Sequence, residues 1–315
     1  MIMKAKTTLS DIAREANVAV KTASKVFNGD DSVRPYIKDH VLKIAERLNY
    51  RPNPIAQALR AKSLKIISVS LPEIDTPFFG SLFQEIYCLF NDKGFLVVPC
   101  RYIEAVNNAN SSIYACATIL CSGNKDDIYK LIQKGPVLTI NGNKAASEMA
   151  SNLLFDFKTS YVEVTKMILA RGLEKIALYS PHSFKVNNDL KFVHAEGCLR
   201  DSGLEFVAAG TETHFTEPKK ISDLCRKKKI EAVLCSNDLE ALKLVAELQR
   251  NGIRVPEDVL VVGCDGTYHL DYLWTISFDT SKIALMAVDL IVNELNDVSS
   301  HKVAVYQPKI HAPDF

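Results

Sequence analysis

A chain of 315 residues is too long for one small core and fits two or three domains. Its 47% hydrophobic content and mean hydropathy of +0.01 describe a globular chain, and no apolar run long enough to span a bilayer occurs. The net charge of +1 hides an asymmetry, because residues 1–65 hold 13 Lys/Arg against 6 Asp/Glu, a net +7, which leaves −6 on the rest. A basic head on an acidic body points to a polyanion met by the head alone; charge by itself leaves a merely solvated basic face as the alternative.

The first residues, MIMKAKTTLSDIA, contain no apolar core of a secretion signal, so the expected compartment is the cytoplasm, with no membrane contact. Thr8 and Asp11 form an acidic variant of the capping box, opening a helix through Leu9, Ile12, Ala13 and Ala16. Asn17 then allows a turn. A second helix is predicted from Val20 to Asn28, with Ala23, Val26 and Phe27 inward and Lys21, Thr22, Ser24 and Lys25 outward. After the loop NGDDSVRP a third helix starts behind Arg34, with Pro35 near its first position and Ile37, Val41, Ile44 and Leu48 on one face. Two short helices across a tight turn, closed by a third, form a helix-turn-helix unit, although any three-helix bundle with a polar face shares that outline.

The next stretch, YRPNPIAQALRAK (50–62), is a helix-forming segment that should not stand alone. Isolated helices need about 12–15 residues to be even marginal in water. This one is shorter, places Ile55 and Leu59 at i and i+4, and is flanked by Arg51, Arg60, Lys62 and Lys65. It requires a partner to cover its leucine.

From Leu64 onward β-branched runs alternate with amphipathic stretches. KIISVSL, FLVVPC, ACATILC, PVLTIN, KIALYS, EAVLCSN, DVLVVGC and KVAVYQP read as strands. Helices are predicted over 79–93, 126–134, 159–171, 219–228, 239–251 and 281–297. This alternation implies parallel sheets covered on both faces, in two α/β halves, with a ligand cleft at the strand C-termini. The eight cysteines form no C-x-x-C pair and fall mostly in apolar runs, which favours buried thiols over metal ligands. Neither a dinucleotide nor a phosphate-loop signature is present, so no cofactor is expected.

SDIAREANVAVKTASKVFNG, followed by VLKIAERLNYRPNPIAQALRAK, resembles the DNA-binding head and hinge of the LacI/GalR transcriptional repressors without a gap. LPEIDTPFFGSLFQEI and KIEAVLCSNDLEALKLVAELQRNGIRVPEDVLVVGCDG are similar to that family's effector domain. The resemblance implies a helix-turn-helix domain at 1–52, a hinge at 53–63, and a periplasmic-binding-protein-like effector-binding and dimerisation domain of two subdomains at 64–315. It places Val20 and Lys21 at specificity positions in the major groove, Thr22 and Ser24 on phosphates, Lys25 on a base edge and Asn28 on the backbone just beyond the helix. Thr8 and Ala19 also fall at DNA-contact positions. Two departures bear on the operator. Ala19 stands where the family usually has Ser, and Lys25 where it usually has Arg, whose two-donor fork lysine cannot reproduce.

The same resemblance answers the hinge problem. Two hinges meet over the minor groove, where Leu59 wedges a base step, Asn53 and Gln57 make polar contacts and Ala56 allows close approach. That arrangement implies a homodimer on a pseudo-palindromic operator; packing of Leu59 on the following domain is the other reading. For the effector, implied to be a sugar or sugar derivative, the matching positions are Asp156, Asn237 and Asp265 as hydrogen-bonding groups and Phe78 and Phe215 as the aromatic face. Lys191 replaces a family arginine, His194 and Ala195 a glycine–aromatic pair, Gly266 a second acid and Phe278 a polar residue. Each acid, and Asn237 before Leu239, could instead cap a helix.

Two other classes remain. A solute-binding protein with a weakly functional head would share the body. An α/β enzyme would use Asp156, Asp238 or Asp265 with His182, His194 or His269, yet no nucleophile–base–orienter set stands out, so no catalytic residue or metal is expected. The residues decide neither dimer against tetramer nor small effector against a protein corepressor, which a catabolite-control branch of the family uses.

Overall fold

The computed structural model describes residues 8–27, 30, 32–48, 50, 65–72, 74–101, 115–121, 125–141, 148–180, 190–204, 206–209, 217–297 and 301–314. The chain divides into two compact units, Met1–Lys65 and Ile66–Phe315.

The first unit holds α1 (Leu9–Glu15), α2 (Val20–Phe27) and α3 (Pro35–Arg47). The capping box is formed: Thr8 donates its backbone N–H to Asp11 (3.0 Å) and accepts from the Asp11 N–H at 3.3 Å. Asn17 takes a left-handed conformation at φ 51°, a turn that asparagine tolerates better than most residues, and the chain re-enters helix three residues later. Leu9, Ile12, Ala13, Ala23, Val26, Val33, Val41, Ile44 and Ala45 form the core, and Phe27 closes it against Tyr50 with ring centroids 5.3 Å apart. Pro35 sits in the first turn of α3, where its missing N–H has no partner to lose.

The second unit contains two six-stranded sheets. The first has the order β11-β5-β4-β3-β1-β2 and comprises β1 (Ile66–Ser70), β2 (Leu96–Pro99), β3 (Ala117–Cys121), β4 (Val137–Ile140), β5 (Ser151–Phe155) and β11 (Val303–Tyr306). The second has the order β12-β10-β9-β8-β6-β7 and comprises β6 (Ile176–Tyr179), β7 (Phe206–Ala209), β8 (Ala232–Cys235), β9 (Leu260–Asp265), β10 (Trp274–Ser277) and β12 (Lys309–His311). All pairings are parallel except β10 with β12, an antiparallel edge that the alternating pattern does not announce. The described helices are α4 (Pro77–Asp92), α5 (Lys125–Ile132), α6 (Phe157–Ala170), α7 (Leu190–Asp201), α8 (Pro218–Lys228), α9 (Asp238–Arg250) and α10 (Thr280–Asn296). Six of these match the sequence expectation to within two residues at each end; α7 and strands β5, β7, β10 and β12 were not expected.

Chain order and sheet order differ, so the backbone crosses between the lobes three times, at 155–157, 277–280 and 306–309. α6 packs on the second sheet and α10 on the first. Among the described residues, no helix is long and apolar enough to cross a membrane and no group of three or more His/Cys/Asp/Glu could hold a metal.

Candidate functional site

On the head, Ala19, Val20 and Lys21 lie exposed at the start of α2, and Thr22, Ser24 and Lys25 are half-buried along the same helix. Val20 is 46% exposed, an unusual position for a β-branched residue with no neighbour to cover it. Ala19 occupies the N-cap position, its carbonyl accepting from the N–H groups of Thr22 (2.8 Å) and Ala23 (3.1 Å), but its methyl group offers the first turn no side-chain acceptor. Thr8 spends its hydroxyl on Asp11 at 2.7 Å. The Lys25 ammonium donates to Ser32 Oγ (2.7 Å) and pairs with Asp30 (3.1 Å). Asn28, Asn53, Ala56, Gln57 and Leu59 lie outside the described residues.

In the second unit a cavity of about 240 Å³ opens between the lobes at the strand C-termini. Two of the crossings line its floor through Phe155, Phe157 and Phe278. Phe278 is the hub, with its ring 5.8 Å from Phe78, 5.0 Å from Phe155, 6.0 Å from Phe157 and stacked on Tyr306 at 6.0 Å. Such offset and edge contacts are the favoured geometry for aromatic rings and add to the area they bury. The first lobe contributes Thr76, Phe78, Phe79, Cys121 and Asn141; the second contributes Ser180, Lys191, Ser236, Asn237, Asp265, Thr267 and Tyr268.

The polar groups are already partly committed. Asn141 accepts from the Phe155 N–H at 2.8 Å and Asn237 caps α9 by accepting from the Glu240 N–H at 2.8 Å, so each amide retains its NH2 for a ligand. Lys191 donates to the Ser236 carbonyl at 3.0 Å with its ammonium 5.6 Å from the Phe157 ring centre. The Ser236 hydroxyl is buried against the cavity without a hydrogen-bond partner. Burial pushes the Cys121 thiol up to about 12, against the opposing charge of Lys191, so it stays protonated.

Asp265 ends β9 at φ 112°, a strained backbone of the kind that collects at functional positions. Gly266 follows at φ +68°, and a Cβ there would lie 2.1 Å from Ser277 Oγ, which explains why no second acid stands at this point. Behind this turn Asp238, 1% exposed, accepts from Thr275 Oγ1 (2.6 Å) and from the Thr267 (2.7 Å) and Tyr268 (3.4 Å) N–H groups. Burial raises its pKa more than these bonds lower it. Its geometry is that of an anchor holding the 266–268 wall.

The cavity wall includes Phe155 and Phe157 but skips Asp156. That carboxylate caps α6 by accepting from the Thr159 N–H at 3.0 Å; burial pushes its pKa up, and bonds from Thr159 and Gln307 more than offset this, leaving it below the usual range. The helix-capping alternative is formed, and the carboxylate also takes a bond from Gln307. Phe78, Lys191, Asn237 and Asp265 do come together at the cavity, while Phe215 lies outside the described residues. Asn141, Ser180 and Ser236 escaped notice, although each immediately follows a strand and cleft ligands meet that layer.

The model of the lacI family of bacterial regulatory proteins matches residues 8–53, and a periplasmic binding protein-like domain model matches residues 165–311. The chain therefore carries a LacI-family DNA-binding domain and a periplasmic-binding-protein-like domain. Catabolite control protein A of Staphylococcus xylosus is 28% identical to this chain over 273 residues, covering 82% of each. Catabolite control protein A of Staphylococcus epidermidis is 27% identical over 274 residues, again covering 82% of each. Among solved structures, a lac repressor dimer bound to operator and the anti-inducer ONPF matches with a TM-score of 0.77 at 19% identity, over 98% of both chains. A complex of the transcriptional regulator CelR with cellobiose matches with a TM-score of 0.65 at 20% identity, over 98% of this chain and 99% of that one. These likenesses give this chain its fold, a helix-turn-helix head and an α/β core of two doubly wound subdomains.

Proposed function

We propose that this chain is a cytoplasmic, homodimeric repressor that binds a pseudo-palindromic operator and is controlled by a small sugar-like effector, without turnover of that effector. Its working parts are domains at 1–52, 53–63 and 64–315. The observation that carries the DNA-binding reading is the exposed row Ala19–Lys21 with Thr22, Ser24 and Lys25 on a short helix of a unit with net charge +7. In this reading α2 enters the major groove, Val20, Lys21 and Lys25 read base edges, and Thr8, Ala19, Thr22, Ser24 and Asn28 position the helix on the backbone. The hinge, with Asn53, Ala56, Gln57 and Leu59, opens the central step from the minor groove.

For the effector, Phe78 and Phe278 cover the apolar side of a ring while Ser236, Asn237, Lys191 and Asp265 meet its polar groups. The relatives support a sugar derivative, since one solved neighbour carries cellobiose and another ribose. An effector acts only through its differential affinity for open and closed lobes.

The deciding experiment is selection of bound sequences from random duplex DNA at near-physiological salt, where the phosphate contribution does not mask specificity. A palindromic site with a flexible central step supports the reading. No enrichment by a folded, dimeric protein would move the weakly DNA-binding solute carrier to the front.

A further inference from the structure

We propose that Asp30 is a positioning residue for DNA recognition: with Ser32 it tethers Lys25, so that this lysine reads a base edge directionally instead of acting as a mobile phosphate-binding cation. The inference rests on the proposed placement of α2 in the major groove.

An ammonium has three N–H donors. In this head two are committed, one to Ser32 Oγ at 2.7 Å and one to Asp30 at 3.1 Å, which leaves a single donor for DNA. The tether is itself held. The Asp30 N–H donates to the Lys25 carbonyl at 3.1 Å, the Ser32 N–H to Asp30 Oδ1 at 2.8 Å and the Val33 N–H to the Asp30 carbonyl at 3.3 Å, and Val33 plugs into the head's core. Ser32, through its hydroxyl and backbone N–H, and then Lys25 pull the Asp30 carboxyl down to about 2, so it remains ionised beside the lysine across the physiological range.

An exposed ion pair of this kind adds little to folding stability. Beside a polyanion its effect is different. Asp30 cancels the charge of Lys25, so the pair releases no net counterion, and the held Asp30 and Ser32 limit where the remaining N–H can point. A lysine is otherwise a compact point charge on a flexible stem, which favours phosphates over one base edge. The tether supplies the direction that arginine's planar fork would have had.

The test uses the full chain and a fluorescently labelled duplex bearing the selected site, titrated over a series of KCl concentrations. Asp30→Asn is expected to bind more tightly at low salt and to steepen the slope of log K against log salt by about 0.9 for each half-site, the contribution of one more phosphate-neutralising cation. Repeating the selection with this variant should show weaker preference at the base pair facing Lys25. Ser32→Ala keeps the charge and should relax that preference without changing the slope. In a Lys25→Ala background, Asp30→Asn should leave the slope where Lys25→Ala alone puts it. An equal slope change in both backgrounds would mean that Asp30 acts as a general repulsive charge and would overturn the proposal, as would an unchanged slope and preference. If the wild-type protein enriches no site, the operator reading fails separately. The slope on random duplex then still decides the tether, steeper in Asp30→Asn if it exists and unchanged if it does not.

Discussion

Replacing Asp238 by asparagine removes a charge while keeping the shape of the side chain that anchors the cleft wall. The carboxylate is 1% exposed and accepts from three donors, Thr275 Oγ1 and the Thr267 and Tyr268 N–H groups. An amide has one acceptor oxygen and must turn an NH2 toward at least one of those donors, so a buried N–H or O–H loses its partner. Hydrogen bonds to a charged group contribute about 1.5–3 kcal/mol each. Removing the charge also lifts its desolvation cost, which offsets part of the loss. The net expectation is a destabilisation of about 1–3 kcal/mol, or a fall of about 2–12 °C in the melting of the larger unit. The pH dependence has a definite sign. Burial holds the folded pKa above the ordinary aspartate value, so the wild type gains stability relative to Asp238→Asn as pH falls from neutral through that folded pKa. Calorimetric melting of both full-length proteins from pH 7 down to about 4, the ordinary aspartate pKa, should therefore show a gap that widens on acidification. Equal melting at pH 7, or a gap that narrows in acid, would refute the anchoring argument.

Ala19→Ser gives α2 the side-chain acceptor it lacks and should stabilise the head by about 0.5–2 kcal/mol, read as slower amide exchange within α2; unchanged exchange would show that the cap position is misplaced. Ser236→Ala deletes a buried hydroxyl without a partner, and leaving such a group unmade costs about 1–3 kcal/mol, so the variant should melt at the same temperature or higher. A lower melting point would mean that the hydroxyl is already satisfied. Phe278→Ala empties the hub of the aromatic floor and should cost about 3–5 kcal/mol by chemical denaturation, whereas a loss under about 1 kcal/mol would mean that the rings collapse freely into the gap.

The head was legible because its signals are local. Thr8 with Asp11, Asn17 at the turn, Pro35 in the first turn of α3 and the spacing of Val41 and Ile44 each act within a few residues. The body was legible where an apolar run is long enough to stand out, as in β1, β3 and β9. β10 and β12 span only four and three residues; β10 is buried at Trp274, Thr275 and Ile276, whereas β12 has no buried residue to mark it. α7 escaped because Gly197 and a mixed set of side chains blur its apolar stripe, although Phe192, Ala195 and Leu199 are buried at helical spacing. For the cleft, family pattern drew attention to acids, yet Asp156 caps a helix, while unremarked Ser236 and Asn141 reach the cavity from the ends of strands. Both lie at the ends of runs that read as strands, PVLTIN and EAVLCSN, but a short polar residue at a strand end equally marks an ordinary turn or cap.

The three crossings between the lobes also govern how the chain can be made. Neither sheet is a contiguous stretch of sequence: β11 completes the first sheet only after the whole second lobe up to β10 has been synthesised, and β12 completes the second later still. A nascent chain on the ribosome therefore carries β5 with an open edge and no α10 to cover its sheet until residues 280–306 emerge. The head, whose core residues span only Leu9 to Ala45, can mature first. The lobes reach their final form nearly together, once residues 303–311 have emerged, and a chain cut short after α9 would lack both closing strands.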